Sequence, residues 1–529
     1  MGTELEGWTG VLVANRGEVA VRVIRAAADL GVRSVVVHSE DDSTAMPVRR
    51  ADVAVQLRGR GPAAYLDAEQ ILDAAIATGC TAVHPGYGFL SEQAAFAAEC
   101  GERGLLFVGP TPATLAALGN KADARMVAER CGVPVLRGTD GATSLEEAAA
   151  FFESLGGHAV MLKAIAGGGG RGMRVVRSVE DLPGAFERCE SEARGAFGDG
   201  RLYVEQLVSD VRHIEVQVLG DRNGAVADLG ERDCTIQRRH QKIVEIAPAP
   251  HLDEGVRAQL LDDATRIARA VHLENAATVE FLVHGGRHWF VEANARLQVE
   301  HTVTEEVTGV DLVQAQLRLA AGESLADLGL DRPVATRGHA VQARVNLETI
   351  GADGIVRPTG GVLRVFEPAT GPGVRTDTYA STAYQTNPAF DSLLAKVIAH
   401  APSDDVGDAI DRASRALAEL RIEGVETNVA FLRAILADPG VRSGLVTTDF
   451  VDVHFAELVR AANDHASATV STTTRAGAVV DASDPLAVLA HGKSTATARG
   501  APRNVIDDGS AVVAPIQGTV VSIGITAGD

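Results

Sequence analysis

Two apolar patterns alternate along the first part of the chain. Val11–Ala14, Ser34–His38, Ala82-Val83 and Leu106–Val108 are short apolar runs that read as buried strands. Between them lie amphipathic stretches. From Gly17 to Leu30, Ala20, Val23, Ile24, Ala27 and Leu30 fall on one helical face, and Gly31 stops the helix. Ala68 to Thr78 reads as a second helix, and Asn120-Lys121 opens a further one. Strand, helix and strand in that order predict a βαβ unit, and the continued alternation an open α/β sheet. The glycine fingerprint of a dinucleotide site is missing, because the first turn is Asn15-Arg16-Gly17-Glu18. Glu40, Asp41 and Asp42, placed where such folds keep a ribose-binding acid, are therefore expected in a solvated loop.

Strict alternation takes over later. His213–Leu219 reads as a strand, as does Gly338 to Asn346, which carries Arg344. Asn387 to Lys396 is a turn entering a strand, and Asp405 to Glu419 and Asn428 to Ala437 are helical. Ala461 to Asp508, rich in Ala, Ser, Thr and Asp, reads as a linker, and Val512 to Gly528 as the start of a β-rich domain that is cut off. Length, 529 residues, calls for more than one domain.

Thr278 to Thr304 concentrates the chemistry. Val279 to Val283 and His288 to Val291 read as the arms of a hairpin, with Glu280 and Glu292 on opposite arms. A two-residue turn at Gly285-Gly286 would pair Glu280 with Val291, whereas a three-residue loop, Gly285 to Arg287, pairs Glu280 with Glu292. Like charges directly opposite repel unless something lies between them. Two carboxylates with the nearby Asn294 amide suit Mg²⁺, so the three-residue loop is the expectation. A solvated hairpin with incidental acids is the plainer alternative, and two further stretches weigh against it. In Val160 to Val176 a strand ends at Lys163-Ala164, Gly167 to Gly172 form a loop, and a strand resumes at Met173. Consecutive glycines let backbone N–H groups approach phosphate oxygens. In Glu231 to Lys242 basic and hydrogen-bonding residues cluster inside an acidic chain. With 49 basic and 70 acidic residues the net charge is −21, which argues against nucleic acid and anionic membranes and requires local cations for anionic substrates. Five scattered cysteines, no apolar run that could span a bilayer and no apolar leader lead to the expectation of a soluble cytoplasmic chain.

Taken together the motifs resemble biotin carboxylase, an ATP-grasp enzyme. The runs are Ala14–Glu18 (ANRGE), His84–Glu92 (HPGYGFLSE), Lys163–Val176 (KAIAGGGGRGMRVV), Glu231–Lys242 (ERDCTIQRRHQK), Glu280–Leu282, Glu292–His301 (EANARLQVEH), Gly338–Arg344 and Phe390–Lys396 (FDSLLAK). The resemblance extends from about Gly10 to Val451, and the tail resembles the opening of a biotinyl carrier domain whose biotin-bearing motif is absent from this chain. It implies an α/β fold with a Rossmann-like domain over residues 1–135. A two-part ATP-grasp domain follows: a lid over 136–207 and a larger C-terminal part over 208–450. Residues 451–509 would be the linker and 510–529 the truncated biotinyl start.

The resemblance also implies roles. Lys121, Lys163, Glu205, His213, Gln237, His240 and Leu282 would line the ATP site, under a lid that includes Gly168, Gly169 and Gly170. Glu280, Glu292 and Asn294 would hold Mg²⁺ or Mn²⁺. Lys242, Arg296, Gln298 and Val299 would hold bicarbonate, with Glu300 as base. Tyr87 and Arg344 would face biotin, Arg344 stabilising its enolate. The implied partners are a biotinyl carrier domain, a carboxyltransferase and a second copy of the same module. Among departures from the family pattern, Ala166 replaces a lid glycine and Ile246 a glutamate. The acceptor is expected to be an acyl-CoA, with pyruvate or urea carboxylase as the alternative. A different ATP-grasp ligase such as a carbamoyl-phosphate synthase, or a non-catalytic scaffold, fits less well, because Glu280, Glu292, Arg296 and Glu300 are all present.

Overall fold

The computed structural model describes residues 5, 7–139, 141–165, 172–351 and 355–469. The lid glycines Gly168, Gly169 and Gly170, the tail of the expected linker and the biotinyl-like segment lie outside them.

Apolar runs and amphipathic helices assemble as the pattern requires. Val11–Val13 sits at the centre of a five-stranded parallel sheet, in the order Val53–Gln56, Ser34–His38, Val11–Val13, Ala82–His84, Leu106–Phe107. The chain reverses its winding direction between Val11–Val13 and Ala82–His84. In open α/β sheets that switch point is where strand-end loops form a crevice. Both loops are signature motifs here, and Asn15 Nδ2 ties them by donating to the Pro85 and Tyr87 carbonyls at 2.7 and 2.8 Å.

The acidic loop is solvated only in part: Glu40 is exposed, Asp41 half-buried and Asp42 buried. Asp42 is buried and accepts from Arg16 Nε at 2.8 Å and from the hydroxyls of Tyr65 and Tyr384. The Arg16 guanidinium lies over the Phe390 ring, 3.8 Å from its centroid. Asp41 accepts from the Asn387 side chain at 2.9 Å. The short polar run could not reveal partners more than 300 residues away.

A small antiparallel sheet, Met173–Val176, Val160–Ala164, Leu202–Gln206, forms next, with helices Leu145–Ser154 and Leu182–Phe197. The largest sheet is eight-stranded and antiparallel. Its order is Arg287–Asn294, Asn275–His284, Arg212–Gly220, Val226–Arg238, Gln241–Ala247, His339–Asn346, Leu393–Ala401, Val374–Thr378. Helix Val406–Glu419 packs apolar side chains against it, capped by the Asp405 carboxylate. Two helices, Phe450–Val453 and Phe455–Thr469, occupy the start of the expected linker. Leu458, Val459 and Ala462 are buried in the same core, so this part of the linker belongs to the packed body. Its alanines read as linker composition by themselves, while their spacing serves a helix.

The hairpin corrects the loop expectation. His284 pairs with Arg287, so the turn is the two-residue Gly285-Gly286, and both glycines have positive φ (55° and 77°) as such a tight turn requires. Glu280 nevertheless pairs with Glu292. A β-bulge between Glu280 and Phe281 leaves Val291 as the extra residue and restores the acid pair. The opposed acids were legible, but a bulge and a longer loop give the same pairing on paper.

Candidate active site

Across the eight-stranded sheet, neighbouring strands bring a row of charged residues abreast. Glu292 pairs with Glu280, Glu280 with Glu215, and Glu215 with Arg232. Three carboxylates in one row require cations. Lys242 Nζ reaches Glu215 at 2.5 Å, Glu280 at 3.0 Å and Glu300 at 2.7 Å. Arg232, fully buried, donates to Glu215 at 2.5 Å and also to Gln217, Thr278 and Thr304. Glu292 is paired with Lys121. Repulsion between the opposed acids is thus offset by ammonium groups in this structure.

Glu280 also accepts from Asn294 Nδ2 at 2.8 Å and contacts His213 Nε2 at 2.7 Å. His213 Nδ1 lies 2.8 Å from Gln237 Nε2. Burial opposes ionisation of Glu280, but Lys242 and His213 hold its carboxyl well below the usual range. The donor set Glu280, Glu292 and Asn294 is all oxygen-bearing and clustered by the hairpin register, which fits a hard cation such as Mg²⁺.

Glu300 stands at the N-cap position of the helix His301–Thr308, without capping it through its side chain, and is almost completely buried. One oxygen accepts from Lys242 and the other from Arg344 Nη2 at 3.0 Å. Burial disfavours its charge, yet Lys242, Arg344 and Arg232 keep Glu300 ionised well below the ordinary carboxylate range. Arg344 is shared, because its Nε donates to Glu245 Oε1 at 2.5 Å. Gln342 donates to the other Glu245 oxygen at 2.9 Å. Burial pushes the Glu245 carboxyl up against the pull of Arg344.

Arg296 spans the neighbouring loop. It donates to Gln298 Oε1 at 3.1 Å and to Asn294 Oδ1 at 3.0 Å, and its Nε lies 3.0 Å from Glu92. Val299 presents its backbone carbonyl to Lys396. On the small sheet Lys163 is paired with the buried Glu205. Burial and the nearby Lys163 charge lower the Lys121 ammonium to about 8. An anionic ligand would favour the charged lysine. Nucleotide affinity is therefore expected to weaken as pH rises above about 8, with net proton uptake on binding there. Calorimetry in buffers of differing ionisation enthalpy measures this, and pH-independent affinity across that range would remove Lys121 from the phosphate contacts.

Most expected residues converge, with corrections. The basic run Glu231 to Lys242 does not present all its cations to a substrate. Arg232 is committed to Glu215, and Arg238 forms a buried two-point pair with Glu348 at 2.9 and 2.8 Å. Lys242 remains at the site, and His240 is exposed on the turn beyond Arg238. Arg239 and His240 both hold positive φ there, 50° and 63°, which is strained for non-glycine residues. Leu282 pairs with His213 in register and is half-buried. The Tyr87 hydroxyl donates to Glu18. Glu215, Glu245, Gln342 and Lys396 were missed. A signal existed for Glu215, since His213, Glu215 and Gln217 alternate as one polar face on an otherwise apolar strand.

The fold and site define a biotin carboxylase. Residues 8–115 match the biotin carboxylase N-terminal domain family, 120–328 the carbamoyl-phosphate synthase L chain ATP-binding domain, and 342–453 the biotin carboxylase C-terminal domain. The chain belongs to the biotin carboxylase family, a class of ATP-dependent ligases. Several of the proteins it resembles are longer carboxylases. Human mitochondrial pyruvate carboxylase is 49% identical over 451 residues, 84% of this chain and 38% of that protein, so the chain spans well under half of that relative. The biotin carboxylase domain of a single-chain bacterial carboxylase superposes with a TM-score of 0.78 at 49% identity, covering 86% of this chain and 100% of that one. The corresponding domain dimer of Hydrogenobacter thermophilus 2-oxoglutarate carboxylase, solved with MgADP, ADP and bicarbonate, gives 0.81 at 40% identity, covering 85% and 98%. A single-chain, multi-domain long-chain acyl-CoA carboxylase gives 0.77 at 43% identity, covering 89% of this chain and 44% of that one. Among the described residues no helix is long and apolar enough to cross a membrane.

Proposed function

We propose that this chain carboxylates biotin with bicarbonate at the expense of ATP, through carboxyphosphate. The observation that carries the reading is the position of Glu300, held between Lys242 and Arg344 beside the Glu280–Glu292 pair. Lys121, Lys163, Glu205, His213, Gln237, His240 and Leu282 would line the nucleotide, with the small sheet of residues 136–207 as its lid. Glu280, Glu292 and Asn294 would hold Mg²⁺, which when bound supplies charge neutralisation on the phosphates. Lys121 and Lys242, released from their carboxylates, would then face anionic oxygens.

Bicarbonate would lie against Arg296, Gln298, the Val299 backbone and Lys242, where the arginine offers a planar fork to a planar anion. Glu300 removes its proton. A carboxylate clamped by two cations is a poor base, so substrate binding must loosen the clamp. The negative charge of bicarbonate on Lys242 does so, as does Arg344 turning toward the biotin ureido oxygen. Attack on the γ-phosphate then gives carboxyphosphate, which releases CO₂ and phosphate beside biotin. The released phosphate would take the ureido N–H proton, Arg344 would stabilise the charge left on the ureido oxygen, and the nitrogen would then attack CO₂ to give carboxybiotin, with Tyr87 bordering the biotin position.

For the acceptor the sequence expectation was an acyl-CoA. The pyruvate carboxylase relative, and the eukaryotic pyruvate carboxylases that accompany it at 44–49% identity, support the pyruvate alternative more strongly. The long-chain acyl-CoA carboxylase keeps the acyl-CoA reading as second. A biotinyl carrier and a carboxyltransferase on the same protein or on partner subunits complete either cycle. Association as a dimer and a cytoplasmic location remain part of the same proposal.

The deciding assay is ADP release by the purified chain with free biotin. Turnover is expected to require bicarbonate and biotin together. Turnover with bicarbonate alone, indifferent to biotin, would instead place the chain with other ATP-grasp ligases. Fixation of labelled bicarbonate into pyruvate or into acyl-CoA, compared in extracts with and without the gene, separates the two acceptors.

A further inference from the structure

Two signature motifs, Ala14–Glu18 and Phe390–Lys396, have no task in the reaction described above. They meet under the bicarbonate loop. Lys396 has no exposed surface. In strand register it lies directly opposite Arg344, where two cations repel. An apolar side chain of similar volume would avoid both that repulsion and the cost of burying an ammonium. Lys396 instead has two close polar partners. Its Nζ lies 3.0 Å from Glu18 Oε2 and donates to the Val299 carbonyl at 3.1 Å. Asp377 is more distant, at 4.0 Å. The other Glu18 oxygen accepts the Tyr87 hydroxyl. Glu18 is itself buried, on the first turn of the helix Gly17–Asp29.

One ion pair therefore touches two substrate positions. Through the Val299 carbonyl it fixes the peptide that leads into Glu300. Through the Tyr87 hydroxyl it fixes the loop at the biotin side. Lys396 comes from the strand beside Arg344, and Glu18 from the first, parallel-sheet domain.

We propose that Lys396 and Glu18 are positioning residues that hold the Val299–Glu300 segment and Tyr87 in one frame, so that bicarbonate and biotin are presented to each other. The proposal rests on the biotin carboxylase reading for its substrates. It makes Lys396 the anchor of the bicarbonate loop and Glu18 the link to the biotin side. A displacement of about 1 Å at reacting groups is enough to cost about a hundredfold in rate.

The test compares Lys396→Met, Glu18→Gln and the double variant with the unaltered chain. Bicarbonate binding to the MgADP-loaded protein is followed by ¹³C NMR titration, and biotin-dependent ADP release by a coupled assay. Lys396→Met is expected to weaken bicarbonate binding and to lower biotin-dependent turnover by about tenfold or more, with MgADP affinity unchanged. Glu18→Gln is expected to act mainly on the biotin KM. The double variant removes both charges together, so it recovers thermal stability toward the parent without recovering bicarbonate affinity. That divergence of stability from function is what a purely structural ion pair would not give.

If Lys396→Met does not fold, the double variant carries the same comparison. Bicarbonate affinity unchanged in the double variant, or recovered in step with its melting temperature, overturns the proposal. Binding of bicarbonate by the parent without biotin-dependent turnover would defeat the functional reading while leaving the binding comparison decisive. A parent that binds no bicarbonate would overturn both.

Discussion

Glu300→Gln is expected to lower biotin-dependent ADP release by about a hundred- to ten-thousandfold, the range a positioned base contributes, while MgATP binding stays near that of the parent. The substitution keeps the size of the side chain, but its single amide oxygen can accept from only one of Lys242 and Arg344, whose donors reach the two carboxylate oxygens at 2.7 and 3.0 Å in the parent. It removes the ability to take a proton from bicarbonate. Because Glu300 helps to balance Lys242, Arg344 and Arg232, the variant also leaves those cations less compensated. Bicarbonate affinity should then hold or rise, since another anion is welcome there. A fall in kcat with unchanged or lower bicarbonate KM is the expected signature. A variant that turns over like the parent would remove Glu300 from the role of base.

Lys242→Met is expected to have the largest effect on stability. It strips the shared cation from Glu215, Glu280 and Glu300, all buried. Removing one partner of a buried ion pair typically costs about 3–5 kcal/mol. The sign of the pH dependence follows from the shifts. In the parent, Glu280 and Glu300 have folded pKa values below their unfolded ones, so their contribution is present above the unfolded carboxylate range and is lost as pH falls through the folded values. Without Lys242 the same carboxyls are pushed up by burial and by one another, and the folded protein takes up protons. The stability gap between parent and variant should therefore narrow as pH falls from neutrality toward the carboxylate range. Thermal melts over a pH series measure it. A gap that widens on acidification would contradict the role of Lys242 as the shared counter-ion.

Much of this was legible in the sequence because local chemistry set it. The parallel-sheet strands were short apolar runs, and the helix Gly17–Asp29 carried its apolar stripe and a stopping glycine. The opposed acids of the hairpin followed from spacing and repulsion. What was hidden depended on the third dimension. Glu245 drew no reading from the sequence, and only the neighbouring strand His339–Asn346 brings Arg344 to it. Asp42 looked solvated because its partners Arg16 and Tyr384 lie 26 and 342 residues away in the sequence. The arginines of the basic run looked available because no sequence pattern shows that Glu215 and Glu348 claim Arg232 and Arg238.

The clasp around Asp42 also constrains how the molecule comes into being. Its acceptor oxygens are completed by Tyr384, 342 residues further on, and Arg16 stacks on Phe390. A growing polypeptide emerges from its first residue, so the parallel sheet can form long before these partners exist. Until they arrive, Arg16 and Asp42 have only each other and Tyr65. Closing so wide a loop is slow relative to local helix formation, and it comes last. The crevice that Asn15 helps to shape would thus be finished only after the segment carrying Tyr384 and Phe390 has been made. A nascent chain halted before its late strands would hold a folded sheet and no assembled catalytic centre.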